Sequence, residues 1–172
     1  VWGGASIGTV CLNDNFSLQS YVNENGDIRN AWVRPSKPVS DVYTGVDASG
    51  VILRVAHIVG IPYFCRNSLT AAQSLPQLSP QQYPQEGDLI WVPGSLLVIN
   101  NFSKNTIITA MSYTAGYGAL VELPLHKVFK DINTYQQLTQ AYRAGKALTL
   151  LNCDGSVART VEEFKILKLS FN

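Results

Sequence analysis

The chain has 172 residues, 46% of them hydrophobic and 15% charged. That length suits one domain, and that balance excludes a disordered segment, because enough apolar surface is available to bury. Thirteen Lys and Arg against twelve Asp and Glu leave a formal net charge of +1, which is no electrostatic footprint for nucleic acid or for an anionic membrane surface.

Residues 1–46 are rich in Gly, Asn, Ser and Asp and lack a clear period, so they read as loops with short strands. Asp47 to Gly60 is the strongest helix, with Asp47 or Ser49 available as its cap. Its apolar residues run nearly all round, interrupted by Arg54 and His57, which predicts a helix buried on most sides. Gly60 stops it and Pro62 bars its continuation. The apolar stretch from Gly45 to Phe64 is broken by Asp47, Arg54, His57 and Pro62 and does not qualify as a membrane span. The first residue is Val1, and an upstream segment, a signal peptide among the options, is compatible with that start.

Ser68 to Leu75 reads as a short second helix, and residues 76–87, with three Pro and four Gln, as a surface loop. Strands follow at Leu89–Val92, Leu96–Ile99, Thr106–Met111 and Ala119–Leu123, separated by turn residues. A helix is expected over 133–144, capped by Asn133, with Leu138, Ala141 and Tyr142 inward. Ala147–Leu151 and Ser156–Thr160 flank a turn at Cys153–Gly155, and Phe164–Leu169 is the last strand. This order predicts an α+β domain, a buried helix packed on an antiparallel sheet. The three cysteines, Cys11, Cys65 and Cys153, lie far apart, so neither a zinc ribbon nor a CxxC motif can form. One long-range disulfide with a free thiol stays open, and three reduced, mostly buried thiols are the simpler reading. No metal and no cofactor is expected.

Three segments together carry a resemblance. They are Trp2-Gly3-Gly4, then Gly45-Val46-Asp47-Ala48-Ser49-Gly50-Val51, then Gly87-Asp88-Leu89-Ile90-Trp91. In order and spacing they resemble the Trp-Gly-Gly, Asp-Cys-Ser-Gly and Gly-Asp-Leu motifs of the NlpC/P60 family of papain-like cysteine peptidases. Ile61-Pro62-Tyr63, Arg66-Asn67-Ser68 and Gln73 also fit the family's link between helix and strand. The resemblance covers roughly residues 1–130 and implies a single papain-like NlpC/P60 domain over 1–172. Residues 5–44 then read as an insertion and 131–172 as a C-terminal extension. It also implies a bacterial, extracytoplasmic setting.

In that family a Cys at the start of the central helix attacks the bond between γ-D-glutamate and a diamino acid in cell-wall peptides. The helix terminus and a nearby His lower its pKa, and a third polar residue orients the His. Here the Cys position holds Ala48, the His position falls at Ser95, 47 residues on, and the third position falls at Thr109. A methyl group is no nucleophile, and neither Ser nor Thr is a base near pH 7. Rescue by other residues has little support. Ser49 is turned roughly 100° from Ala48, and His57 lies roughly 13 Å further along the helix. His126 follows the strand pair as a surface residue, and Cys65 has no base placed beside it.

The pocket positions of the family are better kept. Trp2, Asp47 and Ser49 stand where the D-glutamyl group is held, although caps and core would use the same residue types. Tyr113 and Tyr117 suit either a cleft rim or a turn. The resemblance therefore implies a catalytically inactive domain that binds a peptide, a peptidoglycan fragment for example, or a protein. The alternative from a different class is an active γ-D-glutamyl-diamino acid endopeptidase whose Cys has been replaced by Ala48. Loss of the His as well as the Cys favours the inactive reading.

Overall fold

A computed structural model of the chain describes residues 5–6, 17–22, 28–33, 45–60, 65, 67–111, 115–116 and 119–169. The described elements are β1 (Ala5–Ser6), β2 (Ser17–Val22), β3 (Ile28–Val33), β4 (Gly45–Val46), α1 (Ala48–Ile58) and α2 (Ser68–Ser74). There follow β5 (Leu89–Val92), β6 (Ser95–Asn101), β7 (Thr106–Met111), β8 (Ala119–Pro124), α3 (Leu125–Val128) and α4 (Tyr135–Arg143). The chain ends with β9 (Leu148–Leu151), β10 (Val157–Val161) and β11 (Lys165–Leu167). The domain is α+β: one sheet of seven strands runs β11-β5-β6-β7-β8-β1-β4, antiparallel except where β1 meets β8. β9 with β10, and β2 with β3, form two further hairpins.

Strand parity explains why β5 reads as an unbroken apolar run. Successive side chains of a strand point to opposite faces. Leu89 and Trp91 join Leu96, Ile52, Ala56, Ala71 and Leu167 on one face. Ile90 and Val92 join Leu97, Ile99, Ile107, Phe129 and Leu138 on the other. Both faces are covered, so all four β5 residues are buried. Helices α1 and α2 lie on the first face; α3, α4 and the β9–β10 hairpin lie on the second. The segment after residue 131 supplies Ile132, Tyr135, Leu138, Leu148, Leu150, Val161, Phe164 and Ile166 to that second core, and its last strand is an edge of the main sheet.

Two sequence expectations are corrected. Helix α1 is not buried on most sides: Ile52 and Ala56 face the sheet, while Val55 is 53% exposed, Ile58 73% and Val59 65%. A helix laid on one sheet face buries one stripe, and no described element covers its outer side. The cap of α4 is Thr134 rather than Asn133; its side chain accepts from Gln137 N, and Gln137 reaches back to the cap, a capping box. Of the thiols, Cys65 is buried and Cys153 exposed, and both are free. Cys11 lies outside the described residues.

The loop over 76–87 is mostly exposed, yet it is anchored. Leu78 is 2% exposed, its N–H donates to Ile166 O, and the Tyr142 hydroxyl donates to Leu78 O at 2.6 Å. Arg143 donates to Gln82 O and stacks over Tyr83, 4.6 Å from the ring centre. These bonds tie the loop to α4.

Candidate functional site

The first turn of α1 is the natural place to look, because strand β4 delivers the chain directly into it. The Asp47 carboxylate caps the helix: its Oδ1 accepts from Gly50 N at 2.6 Å and from the Ser49 hydroxyl at 2.9 Å. The Asp47 carbonyl takes Val51 N. An aspartate cap satisfies unpaired N–H groups and complements the positive end of the helix dipole. This helix start therefore already holds an anion of its own. Ser49 is buried and Asp47 exposed, and both cap bonds use Oδ1. Ala48, half-buried between them, presents a methyl group.

Ser95 opens β6 opposite Val92, and Thr109 lies in β7 opposite Val121. Parity decides which way they point. Leu96 belongs to the cluster that α1 enters through Ile52 and Ala56, residues four and eight after Ala48 on one helical stripe. Ser95 alternates with Leu96, so it shares the opposite face with Leu97 and Ile99. Thr109, two residues after Ile107, shares that same face; it is 4% exposed, and its hydroxyl donates a long 3.5 Å bond to Leu96 O. The described contacts thus bring Asp47, Ser49 and Gly50 together. They turn Ser95 and Thr109 toward the face covered by the C-terminal elements, where Arg159 of β10 donates to Pro93 O at 2.7 Å.

Of the histidines, His126 is exposed on α3 and His57 lies on α1. Trp2, Tyr113 and Tyr117 lie outside the described residues. Among the described residues no group of three or more His, Cys, Asp or Glu is placed to hold a metal ion, and no helix is long and apolar enough to cross a membrane.

The Gly-Asp-Leu segment has a structural role that sequence reading missed. Asp88 is 4% exposed. Its Oδ2 accepts from Gln85 N at 2.8 Å and from Lys168 Nζ at 2.9 Å. Its own N–H donates to Gln85 O and its carbonyl accepts from Ile99 N. The acid joins the start of β5 to the end of the last strand. No local pattern announces this, since the partner is 80 residues away.

No family model, curated protein or solved structure matches this chain.

Proposed function

We propose that this chain is a catalytically inactive NlpC/P60-like domain, papain-like in fold, that binds a peptide or protein instead of hydrolysing one. The observation that carries the reading is the first turn of α1. At the position the resemblance gives to the nucleophile stands Ala48, and the anion at that helix start is Asp47, already bonded to Gly50 N and the Ser49 hydroxyl. The methyl group at that position is no nucleophile, and the Asp47 carboxylate already serves the N–H groups that a ligand carboxylate would otherwise meet.

Asp47 is exposed and its cap bonds use one carboxylate oxygen, which favours a cationic group at the other. A cell-wall stem peptide with a free diamino-acid ammonium is the ligand class that follows from the resemblance, and it would place that ammonium against Asp47. Titration of the labelled protein with such a peptide tests the idea. Amide shifts centred on Ala48, Ser49 and Gly50, lost in Asp47→Asn, support it. No shift at those amides at millimolar peptide overturns the stem-peptide reading.

A further inference from the structure

The geometry points to a binding site for a small organic anion in the groove between α4 and β9, on the other side of the sheet from α1. A structural device makes this groove. After the antiparallel bridge of Phe129 with Leu150, Lys130 N donates to Thr149 O at 2.8 Å. The next residue, Asp131, has φ +63° and turns the chain away. The start of β9 is thereby left without a strand on that side, and α4 forms the facing wall. The groove is half open to solvent and has a volume of about 450 Å³, within the size range of small-molecule sites.

Its chemistry is divided. Ile132, Ala141 and Leu148, all buried, give apolar surface to the lining, while Lys130 and Lys146 are exposed along it. Among the described residues neither ammonium has an acidic partner; the ion pairs there are Lys165 with Glu163 and Lys168 with Asp88. Asp131 is the one carboxylate of the lining, so the groove carries a surplus positive charge. The end of α4 does not supply competing free carbonyls at Gln140, Ala141 or Tyr142, since these accept from the N–H groups of Ala144, Lys146 and Gly145. Gln140 adds a side-chain amide donor to the lining. A carboxylate-bearing ligand with a short carbon chain matches both parts: ammoniums for the charge, apolar lining for the chain. Inorganic phosphate satisfies only the first.

This site is independent of the α1 turn and of any family resemblance. The test is an amide-shift titration of the whole labelled chain with adipate and, separately, with inorganic phosphate, in the native protein and in Lys130→Ala/Lys146→Ala. Both lysines are exposed, so the variant should keep the native spectrum elsewhere. Adipate is expected to shift the amides of Lys130, Ala147 and Leu148 saturably, to bind at least about tenfold more weakly to the double variant, and to outbind phosphate. Absence of a saturable shift, unchanged affinity in the double variant, or phosphate binding as tight as adipate would each overturn the proposal, the last by reducing the site to a counterion cloud.

Discussion

Lys168 Nζ lies 2.9 Å from Asp88 Oδ2, with the two side chains 19% and 5% exposed. The pair clasps the residue after β11 to the residue before β5, so the last strand and the first central strand are held at a shared end. Leu169 N adds a long 3.5 Å contact to the other carboxylate oxygen. Removing one partner of a buried pair leaves the other charge desolvated and costs about 3–5 kcal/mol. Asp88→Ala is expected near the upper end, because it also strands Gln85 N. Lys168→Met should cost less, since the lysine is the more exposed member and the acid keeps its backbone donor. Chemical denaturation of both variants checks the order; equal, negligible losses would show that the clasp contributes nothing.

A second contact joins the loop after β7 to the β9–β10 turn. Gly116 has φ +86°, and a Cβ there would stand 2.1 Å from Cys153 Sγ. Cys153 N donates to Ala115 O at 2.9 Å. Gly116→Ala therefore meets both backbone strain and a collision, an expected loss of about 1–3 kcal/mol. Cys153→Ala in the same chain should return part of that loss and not all of it, because the strain in φ remains. Melting curves of the two singles and the double decide this, and full recovery would mean that the collision alone mattered.

Tyr135 links pH to stability. Burial holds its phenol well above the ordinary value of 10, the backbone bond at Asn100 acting the other way and the Glu86 charge adding to the rise. Its hydroxyl donates to Thr106 O. The folded state thus keeps a proton that the unfolded chain sheds near pH 10. The stabilisation is fully present below that pH and declines as pH rises above it. Tyr135→Phe should cost about 1–3 kcal/mol near neutrality, because Thr106 O loses its donor, and should flatten the alkaline decline. Denaturation midpoints between neutral and strongly alkaline pH measure both effects. An unchanged alkaline slope would assign the decline to other groups.

Ala48→Cys is expected to give no hydrolysis of a γ-D-glutamyl-diaminopimelate peptide, measured as released amine. A thiol at a helix start still needs a base to pass a proton to the leaving amine. Strand parity adds a sharper expectation. Because Ser95 alternates with Leu96, Ser95→His would place its imidazole on the face away from α1. The thiol in Ala48→Cys/Ser95→His should then alkylate with the same pH profile as in Ala48→Cys alone. A profile shifted to lower pH in the double variant would show that position 95 reaches the helix start.

Much of the framework was legible from the chain itself, because its signals are local. The α1 span follows from an apolar run with Asp47 before it and Gly60 after it, and the Asp47 cap from its place three residues before the N–H it accepts. The β5–β8 strands follow from apolar runs broken at Pro93-Gly94 and Asn100–Asn105. What the tertiary structure alone decided are matters of facing and of distance along the chain. Which side of α1 is bare depends on what packs above it, and Val55, Ile58 and Val59 carry no local mark of exposure. Whether Ser95 or Leu96 meets α1 is a shift of one residue, which exchanges the two faces of a strand. The pairing of Asp88 with Lys168, and the groove opened by the left-handed turn at Asp131, join residues whose neighbours in sequence say nothing of each other. Such contacts arise only when the sheet is assembled, because burial and charge pairing act through space and not along the chain.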